Sequence, residues 1–529
     1  MPEEDRVMSL EVIREAIRVN QIIGQESTQT VVENDIIVPD VKPDIAYILI
    51  LDGDVYVNSS EVVQDRILVN GTICYKILYV SDDAEQSIKS INTSSGFSYS
   101  MDVANAKPGM KCRVKCDIEH IGYEILNGRK VNIKAIVKMA GRVTSELEQG
   151  IAYDLSGLDD IQMLKKHYKV NSYLGESEAN ARVSEVLEIP DSRPAIREIL
   201  RNDVKISDKD YKITDNKIIA RCQLNVSTLY IGDDETGSIQ FMKHEIPFSQ
   251  TVDLPGITED AGCELEYRIT DSSFEAEEDS DGELRALKCE IGLCILADGF
   301  EQREVEAIED AYSPNARVEI EKEPFNAEEF VSENKSQIAV KDIITVGGAN
   351  PEISEVFNVL CKPVLSQYSI EDDKIMIEGL VNSKVLYLAN NAEQPVFCRE
   401  QETPINQAVD IKGIKPGMDC EIDLDIQHCS YSTIDTKEVE IKLSVLITIK
   451  VVKRKVISVI KRANEAKLDA AELASQPSIT IYFVQQGDTL WDIAKKYYTT
   501  IADIIKANDM DENDAVSLGQ QVIIPKKFA

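Results

Sequence analysis

The stretch Ile77–Ile88, ILYVSDDAEQSI, decides the fold because the chain repeats it twice more. It returns as TLYIGDDETGSI at Thr228–Ile239 and as VLYLANNAEQPV at Val385–Val396. A proline, a tyrosine and a cysteine keep the same two spacings, 151 and 157 residues: Pro43, Pro194 and Pro351; Tyr79, Tyr230 and Tyr387; Cys112, Cys263 and Cys420. Independent landmarks in one register indicate an internal repeat. A unit of roughly 120 residues is far longer than a solenoid repeat, so each copy is predicted to be a domain.

Each copy has the sequence pattern of an antiparallel sheet. In the first copy RILVNGTICYKILYV, residues 66–80, is rich in β-branched and aromatic residues and ends at the polar turn SDDAEQ. Asn127 and Gly128 lie between two such runs, which is a strong hairpin signal. The predicted fold class is mainly β: three repeated antiparallel β-sandwich-like domains with short helices, followed by a small α+β module.

Short helices are predicted around and within these domains. Met8–Val19 is amphipathic, and as a helix it would either pack on the first repeat or serve as a free docking helix. Residues 155–170 and 303–314, between the repeats, have a helical pattern as well. In the third copy Asn350 can cap a helix that starts at Pro351, with its apolar face formed by Ile353, Val356 and Phe357. The predicted organisation is an N-terminal amphipathic helix at 1–19, repeats at 20–145, 170–300 and 328–452, a helix or linker at 453–478, and the C-terminal module at 479–529.

Composition narrows the class of protein. The chain has 529 residues, more than one ordinary core holds, and a formal net charge of −36. Such a charge repels nucleic acid and anionic membranes. No apolar run reaches the length of about 18 residues needed to span a bilayer, and the N-terminus lacks the pattern of a secretory signal. We therefore expect a cytosolic protein with protein or neutral partners, no nucleic-acid ligand and no direct membrane insertion.

No catalytic or metal-binding constellation stands out in the sequence. The 11 cysteines include no C-x-x-C pair and are expected to be reduced and mostly structural. His120 and His428 are equivalent to Asp271 of the second copy, and we interpret them as strand histidines whose role stays open. The acidic pairs 82–83 and 233–234 are interpreted as hairpin tips rather than calcium ligands. Without a Walker A, G-x-S-x-G or H-E-x-x-H motif, we expect no enzyme activity, no catalytic residue, no metal and no cofactor.

The C-terminal segment combines two short strands with two short helices. ITIYFVQ, from Ile479, has the pattern of a strand, and GQQVIIP, ending at Pro525, that of a closing strand. Thr489 with Asp492 resembles the capping box of one helix, and Thr500 with Asp503 repeats it for a second. The predicted order is strand, helix, helix, strand. The only tryptophan, in the first helix, is interpreted as a core residue rather than a platform for a ligand.

This segment resembles a LysM domain through V-x-x-GDTLWDIA from Val484, I-x-x-N from Ile505 and GQQVIIP. The resemblance implies a βααβ fold whose shallow groove lies between the first strand–helix loop and the loop before the last strand. Such grooves typically bind N-acetylglucosamine-containing glycans. Carried over to this sequence, the groove residues are Gly487, Asp488, Thr489, Leu490, Asn508, Asp509, Met510 and Asp511. Many LysM domains have glycine between the helices, where this chain has Tyr498 and Thr499.

The three upstream copies resemble the SPOCS domains of sporulation proteins, through the stretch from Ser9 to Ile45, the LY hairpins and the KPGM turns. SPOCS repeats followed by one LysM are typical of the SipL family of clostridial spore-coat morphogenetic proteins. The resemblance implies a non-enzymatic scaffold in the mother-cell cytoplasm at the forespore surface. It would dock on a spore coat ATPase resembling SpoIVA through its LysM and repeat domains. The alternative is a cell-wall or spore-cortex protein that binds N-acetylglucosamine glycan of peptidoglycan.

The charge of the second groove loop favours a protein ligand. NDMDENDAV, residues 508–516, places four acids beside the expected groove: Asp509, Asp511, Glu512 and Asp514. N-acetylglucosamine chains are neutral, whereas a basic protein surface would be steered toward these acids. Leu490 and Met510 would then be the apolar centre of the contact. The simpler alternative is that the acids only keep the loop soluble.

Overall fold

In a computed structural model, residues 8–83, 87–235, 237–346, 351–389, 396–466, 477, 479–511 and 516–525 are described. Strand β1 (Met8–Ser9) precedes a first unit of β2 (Glu11–Ile37), β3 (Ile45–Val63), β4 (Arg66–Ser81), β5 (Ile88–Asp102), β6 (Lys111–Asn127) and β7 (Lys130–Ser156). The second unit consists of β8 (Gln162–Glu188), β9 (Ile196–Thr214), β10 (Lys217–Gly232), β11 (Ile239–Asp253), β12 (Gly262–Glu277) and β13 (Ala286–Tyr312). The third consists of β14 (Arg317–Thr345), β15 (Ile353–Glu371), β16 (Lys374–Ala389), β17 (Val396–Asp410), β18 (Asp419–Thr433) and β19 (Glu438–Ala466). The C-terminal module follows with β20 (Ile479–Phe483), α1 (Leu490–Lys496), α2 (Ile501–Ala507) and β21 (Gln521–Pro525).

Each unit is a sandwich of two three-stranded antiparallel sheets. In the first unit the sheets have the orders β2-β7-β6 and β3-β4-β5, and the second unit repeats them as β8-β13-β12 and β9-β10-β11. The third unit pairs β14 and β18 on either side of β19, against β15-β16-β17. Alternate residues of both sheets form the core, as Ile67 and Ile73 of β4 do with Ile133 and Val137 of β7. The predicted mainly β fold of antiparallel sandwich repeats is confirmed.

The repeated landmarks correspond to repeated contacts. The buried Tyr79 hydroxyl donates to the Pro43 carbonyl oxygen at 3.0 Å. The equivalent bonds join Tyr230 to Pro194 at 3.0 Å and Tyr387 to Pro351 at 3.5 Å. The second residue of the fifth strand is the repeated cysteine in every unit: Cys112, Cys263 and Cys420. The register found in the sequence is therefore the register of the three-dimensional units.

The three units meet each other at two apolar contacts. At one, Leu78, Leu229 and Leu386, which occupy equivalent positions, share a buried cluster. At the other, the first and sixth strands of all three units pack together. We refer to these six strands as the stalk. Their shared buried residues include Ile17, Ile151, Val170, Val305, Phe325 and Ile457. Strand β1 pairs with β19, with Met8 opposite Glu465, so the N-terminal strand is attached to the third unit. The stalk strands, 27 to 29 residues long, are the longest of each unit.

The N-terminal amphipathic helix predicted at 1–19 is wrong, because residues 8–9 and 11–37 are strands. Leu10 and Ile17 lie seven residues apart and are both buried, a spacing that imitates a helix. A register shift between Ile13 and Arg14 inverts the strand alternation between them. A bulged strand has thus produced a helix-like pattern. Of the two roles predicted for this segment, packing on the repeats is the one that the structure shows.

None of the other helices predicted among the repeats is present in the described residues, which form strands and short connecting turns there. Residues 155–170 join β7 to β8, residues 303–312 end β13, residues 453–466 end β19, and the chain from Ile353 onward is β15. Asn350, the predicted cap, and most of the predicted linker at 467–478 lie outside the described residues. The units extend beyond 20–145, 170–300 and 328–452 because the stalk strands continue there. Pairing within the stalk overrides the local helical pattern.

Candidate binding surface of the C-terminal module

The module has the predicted order of strand, helix, helix and strand, with β20 antiparallel to β21. The Thr489 hydroxyl accepts from the Asp492 N–H at 3.2 Å, and the Asp492 carboxylate accepts from the Thr489 N–H at 3.2 Å. Thr500 caps α2 by accepting from the Asp503 N–H at 3.1 Å. Both helix starts predicted from the sequence are confirmed, because each cap satisfies an otherwise free N–H group.

The first groove loop is held by its own side chains. Gly487 has a φ of +92°, in the left-handed region that favours glycine. The Asp488 carboxylate accepts from the Tyr482 hydroxyl at 2.7 Å and from the Gln485 N–H at 2.8 Å. These bonds, that from Tyr482 foremost, lower the pKa of Asp488. Leu490, half-buried at the start of α1, is the apolar side chain of this loop.

Asn508 fastens the second groove loop to the last strand. Its side-chain N–H groups donate to the carbonyl oxygens of Ile504 and Ile523, both at 2.7 Å. Its side-chain oxygen accepts from the Ile523 N–H, also at 2.7 Å. Asp509, which follows, has a φ of +52° and is exposed, and Met510 is half-buried. Asn508 therefore bonds to Ile523 as a neighbouring strand would, since its side chain satisfies both the N–H and the carbonyl oxygen of Ile523.

The eight predicted groove residues fall into two groups. Those that shape the module are Gly487, Asp488, Thr489 and Asn508. The other four are the half-buried Leu490 and Met510 and the exposed Asp509 and Asp511. The start of the first loop lies beside the turn that precedes β21, because the Val484 N–H donates to the Gln520 carbonyl oxygen at 3.0 Å. The remaining predicted acids, at 512 and 514, lie outside the described residues.

The departure from the LysM pattern between the helices has a backbone consequence. Tyr498 has a φ of +53°, a conformation that a glycine would adopt without strain. Thr499, the next residue, is buried, and its N–H donates to the Ala494 carbonyl oxygen at 3.1 Å. The turn thus keeps the geometry for which many LysM domains use glycine.

Trp491 joins the module to the stalk. Its ring packs edge-on against Tyr312 at the end of β13, with the ring centroids 4.8 Å apart. The indole Nε1–H donates to Asp310 at 2.9 Å, and the Lys495 ammonium contacts the same carboxylate at 2.7 Å. The Tyr312 hydroxyl donates to the Thr499 carbonyl oxygen at 2.9 Å. We refer to these five residues as the joint.

The joint explains Trp491 but was not visible in the sequence. Trp491 is only 8% exposed, which confirms its predicted role as a core residue. Its partners Asp310 and Tyr312 lie some 180 residues earlier, in a segment predicted to be helical, and no local pattern marks them. Burial works to raise the pKa of Asp310, but hydrogen bonds from Lys495 and Trp491 outweigh it and the pKa is lowered. The carboxylate is therefore held ionised in the contact.

The outer face of the two-stranded sheet is apolar and exposed. Along β20, Ile479, Ile481 and Phe483 alternate with more buried residues and are 62%, 54% and 58% exposed. Ile523 of β21 lies opposite Ile481 on this face and is 38% exposed. We refer to these four side chains as the apolar strip. Adjacent exposed apolar side chains of this kind often mark an interaction site.

A chamber of about 1990 Å³ lies between the three units. His120 and His428 line it, each directly after a register shift in the fifth strand of its unit. Both histidines are exposed, and the structure brings them no catalytic partner set among the contacts described. Within the described residues, no three His, Cys, Asp or Glu side chains are grouped as a metal site.

A chain of charges in the chamber wall connects the first two units. Arg201, 8% exposed, contacts Asp52 at 2.9 Å and Asp203 at 2.6 Å. Lys76 contacts Asp203 at 3.0 Å and Asp54 at 2.8 Å. Burial opposes the charge on Asp203, but Arg201 and Lys76 outweigh it, so that its pKa is lowered. The sequence provided no sign of this network, because its members come from two repeats.

Comparison with known families agrees with this architecture. The SipL, SPOCS domain family matches residues 44–126, 195–277 and 352–434, which span the second to the fifth strand of each unit. The LysM domain family matches residues 482–525. The chain therefore contains three SPOCS domains of the SipL type and one LysM domain. The matches indicate a sporulation protein with a module of the peptidoglycan-binding kind. The stalk strands lie outside the SPOCS matches.

One curated relative is similar to the LysM region. A cortical fragment-lytic enzyme of Bacillus subtilis (strain 168) is 47% identical over 45 residues, which are 8% of this chain and 10% of that protein. The chain thus spans about a tenth of that relative's length. No solved structure matches the chain. Among the described residues, neither helix has the length and apolar character needed to cross a bilayer.

Proposed function

We propose that this protein, with its SPOCS domains of the SipL type, is a non-enzymatic scaffold of spore coat morphogenesis that docks on a coat-assembly ATPase through its LysM and repeat domains. The joint is the observation that carries the proposal. Because Trp491 and Lys495 contact Asp310 of the stalk, the LysM is attached to the repeats by a packed contact. Its groove loops and apolar strip remain exposed. A binding face held on a large body suits a protein that positions its partner.

The chemistry of the exposed face favours a protein partner. Four of the predicted groove residues shape the loops, and the other four are the half-buried Leu490 and Met510 and the exposed acids Asp509 and Asp511. A basic protein surface with apolar side chains complements this face, whereas a neutral glycan gains no Coulomb attraction from it. The net charge of −36 steers a basic partner in the same direction. The compartment proposed is the mother-cell cytoplasm, at the forespore surface.

Glycan binding is the second candidate, and the LysM match favours it. In that case the N-acetylglucosamine chain of peptidoglycan would lie between the two groove loops, and the protein would act in the cell wall or spore cortex. The similar relative named above is a cortical fragment-lytic enzyme, and its likeness to this chain lies in the LysM region. The two candidates use the same groove but differ in their use of the apolar strip, which a glycan in the groove does not cover.

The deciding experiment measures capture of the purified coat ATPase by the full chain. We expect Phe483→Ser and Ile481→Ser to weaken capture about tenfold or more, since each removes apolar area from the contact. Met510→Ala should weaken capture as well. Val41→Ser is the matched control, because Val41 is 92% exposed in the first unit, far along the chain from the LysM. Far-ultraviolet circular dichroism and the fluorescence of Trp491 check that the variants stay folded.

Binding of chitin oligomers to the same proteins separates the candidates. The docking proposal expects no saturable chitin binding by the unmodified chain. Saturable binding that Met510→Ala abolishes, together with ATPase capture that none of the variants changes, would replace the docking role with glycan recognition.

A further inference from the structure

Two cysteines of the third unit lie side by side at the chamber. The sulfur atoms of Cys361 and Cys429 are 3.9 Å apart. Cys361 is on β15 and Cys429 on β18, which belong to the two opposite sheets of the sandwich. Both side chains are half-buried and line the chamber wall. A reagent that enters the chamber therefore reaches both thiols, and a bond between them would join the two sheets.

The surroundings of this pair favour a thiolate on Cys361. A hydrogen bond from Cys429, foremost, and the Ser383 hydroxyl and the cations Lys205 and Lys243 lower the pKa of Cys361 against the opposing effect of burial. The two lysines belong to the second unit and reach across the chamber. At the cysteines outside this pair, burial has the largest effect on the pKa and raises it. It raises the pKa of Cys398, for example, to about 12. Cys361 is thus the thiol suited to attack.

The pair is a property of the third unit alone. The position of Cys361 is held by Val204 in the second unit and by Gly53 in the first. The position of Cys429 is held by Ser272 and Ile121. The repeat fold therefore does not require these thiols, because two sister sandwiches of the same topology form without them.

We propose that Cys361 and Cys429 are a dithiol site that low-molecular-weight disulfides convert into a reversible cross-link between the two sheets of the third unit. In the first step the Cys361 thiolate attacks one sulfur of the small disulfide, forms a mixed disulfide and releases one small thiolate. In the second, Cys429 loses its proton to water, attacks the Cys361 sulfur and displaces the second small thiolate. One small disulfide is reduced to two thiols while two protein thiols are oxidised to one disulfide. This site is independent of the docking role.

The test equilibrates the full chain with buffers of oxidised and reduced glutathione, traps free thiols by alkylation and maps the peptides by mass spectrometry. We expect a peptide pair that links Cys361 to Cys429, and a native protein that has lost two free thiols. The bond closes a long loop across the sandwich, so the thermal midpoint should rise by several degrees and return on reduction. Reduced protein should show all 11 thiols after denaturation.

Two variants supply the controls. Cys361→Ser should abolish both the linked peptide and the rise in thermal midpoint. Cys398→Ser, a half-buried cysteine of the same unit, should change neither. The proposal is overturned if the unmodified folded chain yields no Cys361–Cys429 peptide at any glutathione ratio. Accumulation of a stable glutathione adduct on Cys361 alone would overturn it as well, because the second attack would then not occur.

Discussion

At the scale of single residues, position in the LysM separates side chains that shape the groove from side chains that can bind. Asn508 makes three hydrogen bonds of 2.7 Å inside the module, two of them to Ile523. Asp509, its neighbour, is exposed and occupies a left-handed turn. Both were predicted as groove residues on the same family motif. The hydrogen bonds of Asn508 give it a structural role, whereas the exposed Asp509 belongs to the proposed docking face.

Replacing Asn508 should therefore affect stability, whereas replacing Asp509 should affect binding. Asn508→Ala leaves both backbone groups of Ile523 unsatisfied and should lower the free energy of unfolding of the LysM by about 2 kcal/mol. Asp509→Asn keeps the turn and should change stability by less than about 0.5 kcal/mol, while it weakens capture of a basic partner at low salt. Denaturant unfolding followed by Trp491 fluorescence measures the first effect, and the capture assay the second. Equal stability of the two variants would contradict this division.

At the scale of elements, the stalk is built from strands that extend past the SPOCS matches. The outer part of β2 belongs to it: Ile17 is fully buried against residues of all three units, whereas Ala16 is exposed. An N-terminal segment that is part of a shared core cannot leave it to act as a docking helix without cost. The joint adds a second element-scale contact, where α1 of the LysM meets the end of β13.

Substitutions in the outer part of β2 test whether it is part of the core. Ile17→Ala should destabilise the protein by about 2–5 kcal/mol, because it opens a cavity among the stalk strands. Ala16→Ser, on the exposed side of the same strand, should change stability by less than about 0.5 kcal/mol. Thermal unfolding of the full chain measures both. A free helix would show no difference between the two positions.

The joint should open when Asp310 loses its charge. Asp310→Asn removes the ion pair with Lys495 and should weaken the contact by about 1–3 kcal/mol. Since Trp491 is the only tryptophan, its emission should shift to longer wavelength as it becomes exposed. The pKa of Asp310 is lowered, so its stabilising contribution is complete above the unfolded value of about 3.9 and is lost as the pH falls below it. If the Trp491 emission is unchanged in Asp310→Asn, Asp310 does not hold the joint. The same conclusion would follow if the variant kept the change in emission below pH 4.

At the scale of the whole molecule, three similar units enclose a chamber whose wall is not threefold in its chemistry. Arg201 of the second unit occupies the position that Ile50 holds in the first and Asn358 in the third. It forms ion pairs to Asp52 of the first unit and Asp203 of its own. The repeats share a backbone fold but differ in the side chains that face another unit. These differences determine which unit lies beside which.

Removing Arg201 should loosen the contact between the first two units. Arg201→Ala leaves the partly buried carboxylates without their guanidinium and should lower the free energy of unfolding by about 3 kcal/mol. Arg182→Ala is the control, because Arg182 pairs with Asp271 at an exposed position and should cost less than about 1 kcal/mol. Denaturant unfolding of the full chain measures both. Equal midpoints would mean that the network does not stabilise the assembly.

Much of this architecture is readable from the chain alone, because its causes repeat or are local. The tyrosine–proline bond occurs inside every unit, so it marks the sequence three times at constant spacing. The capping pairs at Thr489 and Thr500 are formed within one helical turn. The stalk, the joint and the Cys361–Cys429 pair have causes that neither repeat nor are local. In the stalk, a register shift near Ile13 gives a strand the periodicity of a helix. In the cysteine pair and the joint, the contacting residues lie 68 to about 180 positions apart, and no local pattern relates them. Such contacts exist only once sheets or units have packed against each other, which is why tertiary structure alone could decide them.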